Sequence, residues 1–179
     1  MKLRVLPIIL TVAASAIVLF GGWLLYNQVA VDAPMQKVVK QVEGIASSDA
    51  PVIDNKRVTI KLKLDSNANL KTVYDAIAKQ GKDVIGSREL VLDIMNNNSN
   101  EQLEKLWSSV LFDVAEAMET KTYSDIPAAM ERLANENKGV QSTTEMDDTN
   151  VYITIKDGSS TKYIVLPRTP VQLEVSAYA

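Results

Sequence analysis

The sequence predicts an α+β protein with an N-terminal single transmembrane helix, a short amphipathic stalk, and one small sheet covered by helices and ending in a β-hairpin. Three observations carry this expectation. Val5 to Tyr26 is a run of 22 residues without a charge. Apolar residues alternate over Arg57 to Leu64 and again beyond Gly139, the period of a half-buried strand. Between those segments, apolar residues recur at three- and four-residue spacing, the period of a helix that buries one face.

The order of elements follows from local chemistry. At about 1.5 Å rise per residue, the uncharged run covers roughly 33 Å, against a hydrocarbon core of about 30 Å. Lys2 and Arg4 precede it and no cation follows until Lys37. The positive-inside rule then puts residues 1–4 in the cytoplasm, and Trp23 and Tyr26 become interface anchors at the outer end. The main domain is thereby expected outside the cell membrane, in a bacterial envelope. The competing reading is a cleaved signal peptide ending near Val31-Asp32-Ala33; its h-region would exceed the usual length of about 7–15 residues.

Residues 27–50 read as the stalk. Pro34 suits a first helical turn, and Met35, Val38, Val39 and Val42 form an apolar stripe on it. That stripe either packs on the protein's own domain or serves self-association. The α+β domain spans residues 51–170. Its first strand, Arg57 to Leu64, sets Val58, Ile60, Leu62 and Leu64 against Arg57, Thr59, Lys61 and Lys63. Asp65 to Asn67 supply caps for a helix through Leu70, Val73 and Ile77, which Gly81 ends. Arg88 to Met95 gives a second strand.

Ser99 and Gln102 have capping-box spacing, followed by the longest apolar stripe, Leu103 to Met118. A shorter helix opens near Ser124 with Pro127 in its first turn and stops at Gly139. Val151 to Ile155, Asp157-Gly158 and Tyr163 to Leu166 read as a hairpin, with Val140 to Thr144 able to pair beside it. Residues 171–179, with Val171, Leu173 and Val175 alternating, form a tail or an edge strand.

Composition narrows function by exclusion. The 179 residues include no Cys and no His, which removes thiol nucleophiles, imidazole bases and Cys/His zinc sites. With 19 Lys and Arg against 22 Asp and Glu, nothing draws the chain to nucleic acid. The seven glycines match no phosphate-binding loop, and no cofactor, metal or catalytic residue is expected. Asp113, Glu116 and Glu119 on one helix, and Glu145, Asp147, Asp148 and Asn150 before the hairpin, are the candidates for carboxylate chemistry or a hard cation. Solvated faces and turn chemistry explain both groups more simply.

The remaining surface feature is a basic stripe, Arg57, Lys61 and Lys63, on a mildly acidic domain. It fits an anionic partner, or it protects a strand from edge pairing. These features together lead to the expectation of a non-catalytic, membrane-anchored binding or assembly module with an envelope protein partner. The alternatives are a carboxylate- or cation-dependent hydrolase and a small-ligand sensor.

Overall fold

The computed structural model of the chain describes residues 5–27, 33–95 and 98–168, with side chains of the first helix described from Thr11 to Gly22. The elements are α1 (Val5–Asn27), α2 (Ala33–Gln41), β1 (Ile45–Ser48), β2 (Val52–Ile53), β3 (Arg57–Leu64), α3 (Leu70–Gln80), α4 (Lys82–Ile85), β4 (Glu89–Ile94), α5 (Glu101–Glu119), α6 (Asp125–Glu136), β5 (Val140–Met146), β6 (Asn150–Asp157) and β7 (Ser160–Pro167).

β3 is the axis of the first sheet. β4 lies parallel to it, from Arg57 opposite Glu89 to Leu62 opposite Ile94. Parallel pairing requires a crossover, and α3 with α4 provides it. On the other side β1 and β2 pair with β3 in tandem, antiparallel, as one edge strand interrupted around Pro51. Proline has no N–H to give a ladder, so it falls where pairing lapses. The inward set of β3, Val58, Ile60, Leu62 and Leu64, is buried. Met35 and Val39 of α2, Val42 just beyond it, and Leu70, Val73 and Ile77 of α3 close over it. The packing is tight at the α3–α4 junction. A Cβ at Gly81 would stand 2.8 Å from the Ile77 carbonyl oxygen and 2.9 Å from Met35 Sδ.

The second sheet is a meander, β5-β6-β7, in continuous antiparallel register from Val140 opposite Asp157 to Asn150 opposite Pro167. Gly158, at φ +57°, holds the first central position of the two-residue turn, where a left-handed residue is needed. α5 and α6 cover one face of this sheet. Leu103, Val110 and Val114 meet Ile126, Met130 and Leu133 over Val151, Ile153 and Ile155. The opposite face presents Tyr152 and Tyr163 to the first core, so the two cores share one sheet.

Several expectations are corrected here. There are two sheets, not one small sheet. Periodicity shows which face of a strand is apolar but not which strand lies beside it, and β4 returns to β3 instead of joining the hairpin. The helix Val5–Asn27 forms, with Val12, Ile17, Val18, Leu19 and Phe20 exposed. Among the described residues, however, no helix is long and apolar enough to cross a membrane. The single-pass signal anchor over 5–26, the cell-membrane location with a cytoplasmic N-terminus and an extracytoplasmic domain, and the membrane as a partner are corrected on that finding. Residues 1–4 and the side chains of Trp23 and Tyr26, read as interface anchors, lie outside the described residues, as does the tail 171–179.

Smaller differences concern ends of elements. Asn69, not Asp65 to Asn67, caps α3, its side chain accepting from the Thr72 N–H at 2.7 Å. Asn100, not Ser99, caps α5, accepting from the Leu103 N–H at 2.8 Å. β1, β2 and α4 are short elements that no period reveals.

Because Ile153 is fully buried at the centre of the shared sheet, Ile153→Ala is expected to lower stability by about 2–5 kcal/mol. Val52→Ala, at a position 67% exposed, should change it by less than about 0.5 kcal/mol. Urea unfolding of the two variants measures both.

Candidate functional site

Two surfaces gather the polar residues of this chain. The first is the outer face of the first sheet. Alternation places Arg57, Thr59, Lys61 and Lys63 opposite the buried set of β3. In parallel register Arg57 stands beside Glu89, Thr59 beside Val91 and Lys61 beside Asp93. On the antiparallel side Lys63 stands beside Ser47 and Thr59 beside Val52. The Arg57 guanidinium pairs with the Glu89 carboxylate at 3.2 Å. Neither Lys61 nor Lys63 has an ion-pair partner among the described residues. The stripe is therefore a mixed face, neutralised at the Arg57 end and cationic at the Lys63 end.

The second surface is a cleft of about 500 Å³ between α3, α4 and the turn that joins β5 to β6. Tyr74, Lys82, Arg88, Glu89, Asp148, Thr149 and Asn150 supply its polar lining. Behind it lies a hydrogen-bonded knot centred on Asp147. The carboxylate accepts from the Thr149 and Asn150 N–H groups, each at 2.7 Å, from the Thr149 hydroxyl at 2.8 Å and from the Tyr152 hydroxyl at 2.6 Å. Asn150 Nδ2 donates to Thr149 Oγ1 at 3.0 Å and to the Tyr152 oxygen at 3.2 Å. Tyr74 and Tyr152 rings meet at 5.4 Å between centroids, and the Tyr74 hydroxyl donates to the Leu90 carbonyl at 3.2 Å.

The electrostatics follow from this arrangement. Burial opposes ionisation of Asp147, but the donors from Tyr152, Asn150 and Thr149 outweigh it and hold the carboxyl below its usual range. Burial raises Tyr152, and the carboxylate it donates to raises it further. Tyr74 is raised by burial as well, against the lowering effect of hydrogen bonds from Asn150 and Thr149. A carboxylate with four donors is an anchor for the turn, and its lone pairs are committed.

The structure places the other sequence candidates as follows. Asp113 on α5 pairs with Arg132 of α6 at 3.1 Å. Glu145 accepts from Asn69 Nδ2 at 2.7 Å, which ties β5 to the cap of α3. Among the described residues, no three acidic side chains come together as a metal site. Met35, Val39 and Val42 are buried in the first core and Val38 packs against it, so the helix stripe of residues 27–50 covers β3. Tyr74 and Tyr152 were not anticipated as site residues, whereas Asn150 was named only as a candidate oxygen ligand. Tyr74 hides within a helical stripe, and Tyr152 falls on the face of β6 that alternation assigns to solvent.

Comparison with protein families, with curated proteins and with solved structures finds no match for this chain.

A carboxyl whose folded pKa is lowered stabilises the fold above its ordinary value, near 3.9, and loses that contribution as the pH falls through the folded value. Asp147→Asn is therefore expected to melt a few degrees below the parent at pH 7. The gap should narrow below about pH 4. Melting temperature measured across pH 2–7 tests the direction.

Proposed function

We propose that this protein is a non-catalytic binding or assembly module, and that the outer face of its first sheet meets a protein partner carrying an acidic patch. One observation carries the reading: among the described residues Lys61 and Lys63 have no ion-pair partner, and they share the outer face with Val52, which is 67% exposed. Apolar area flanked by an excess of cations suits a protein interface, where shape supplies affinity and charge supplies orientation and encounter rate. The non-catalytic part of the reading is supported by the commitments of Asp113, Asp147 and Glu145 to partners within the fold.

The test uses a photoreactive phenylalanine analogue at position 52 of the full chain, with the same analogue at Glu131 of α6 as the control. A discrete adduct from position 52 is expected, absent from position 131. Lys61→Glu with Lys63→Glu should abolish it while leaving the unfolding midpoint within about 0.5 kcal/mol of the parent. An adduct that survives charge reversal removes this face from the proposal.

A small-ligand reading rests on a different observation, the cleft beside Tyr74 and Asn150. It predicts that Tyr74→Phe leaves the position-52 adduct unchanged while altering the response of the melting temperature to a metabolite panel.

A further inference from the structure

The surface of α5 stays apolar beyond the stripe that it buries. Leu103, Val110 and Val114 face the second core. One step around the helix, Trp107, Leu111 and Met118 form a wall of a groove of about 470 Å³, and Leu166, Pro167 and Arg168 at the end of β7 form the other. Leu111 is 40% exposed there. An apolar recess left open on a folded domain costs free energy in water and marks a place for something else.

The rim carries cations held in place. The Arg168 guanidinium lies 4.6 Å from the centroid of the Tyr123 ring, and its Nη1 donates to the Asp147 carbonyl at 2.8 Å. These two contacts fix the fork. Among the described residues its Nε–H is buried without an acceptor, and no carboxylate among them pairs with Arg168 or with Lys121, which also lines the groove. Lys121 is held at φ +59°, a left-handed conformation costly for a residue that carries a Cβ. Glu119 is the one acid in the lining.

We propose that this groove binds a small amphiphile, an aliphatic chain ending in a carboxylate, with the chain along Trp107, Leu111 and Met118 and the carboxylate beside Arg168 and Lys121. The volume lies within the range of small-molecule sites, about 300–1,000 Å³. A protein partner would need roughly 800 Å² of contact on each side, more than a recess of this size offers. Charge complementarity selects the head group, because an immobilised guanidinium binds a carboxylate without ordering a side chain first. The groove shares no residue with the outer face of the first sheet, so the proposal stands apart from the partner-binding reading.

The experiment uses the full chain carrying Trp23→Phe, which leaves Trp107 as the sole indole. Dodecanoate, titrated below its micellar concentration, is expected to shift Trp107 emission saturably with one-to-one stoichiometry by calorimetry. Dodecanol should bind about ten-fold more weakly, as should dodecanoate to Arg168→Gln. Because Arg168 also steadies the β5–β6 turn, Leu111→Asp at the lip provides a second variant that should lose binding with an unchanged unfolding midpoint. Equal binding of dodecanol overturns the assignment of the head group. Absence of saturable binding overturns the site. An emission shift that tracks a concentration-dependent dimer without ligand assigns the groove to a second copy of the chain and overturns the proposal as well.

Discussion

The structure depends on burying one strand on both faces. In a half-wet sheet a strand alternates between core and water, yet β6 has no wet side over most of its length. Val151, Ile153 and Ile155 enter the core under α5 and α6, while Tyr152 enters the core under α3. Tyr163 on β7 does the same, its hydroxyl donating to the Asp65 carbonyl at 2.6 Å. Two cores that share a sheet cannot be opened independently, because withdrawing β6 from either one leaves its other face without a neighbour.

Burying tyrosine creates a polar debt that shapes the surface. A phenolic hydroxyl removed from water needs a partner, and for Tyr152 that partner is Asp147. Asp147 then draws in the Thr149 and Asn150 N–H groups, which tightens the turn between β5 and β6. The same residue receives Arg168 on its carbonyl oxygen, so the knot also positions the cation at the α5 groove. The cleft beside Tyr74 and the groove beside Trp107 therefore lie on two sides of one hydrogen-bonded turn. An event that loosens Asp147 reaches both.

A second set of contacts ties the helices to the shared sheet. Lys162, whose side chain is 11% exposed, places its ammonium 2.8 Å from the Glu104 carboxylate in the first turns of α5. That contact, with help from the Ser99 hydroxyl, keeps Glu104 below the usual carboxyl range. A largely buried lysine is tolerated when its charge is met at close range. The Thr161 N–H donates to the Asn98 carbonyl at 3.1 Å, bringing the entry to α5 against the start of β7. On the outer face of the first sheet the balance is different. Glu89 answers Arg57, but among the described residues Lys61 and Lys63 have no ion-pair partner, and the proposal of a binding surface rests on that difference.

How much of this was legible in the sequence can be judged element by element. β3, α3, β4, α5, α6 and the β6–β7 hairpin follow from periods of two or about 3.6, because amphipathicity is written in the spacing of residues along the chain. The capping asparagines Asn69 and Asn100 sit two residues beyond Asn67 and one beyond Ser99, since several polar residues in a row compete for one cap and the backbone selects among them. The basic row was legible as a row, but Glu89 beside Arg57 was not, because it lies 32 residues away in sequence. The chain by itself determined the α+β class and which face of each element is apolar, both being local properties of order and spacing. Tertiary structure alone decided that there are two sheets, that α2 lies on β3, and that β6 is buried on both faces around an Asp147–Tyr152 knot. These are pairings between distant segments, and alternation within a strand carries no information about its neighbour.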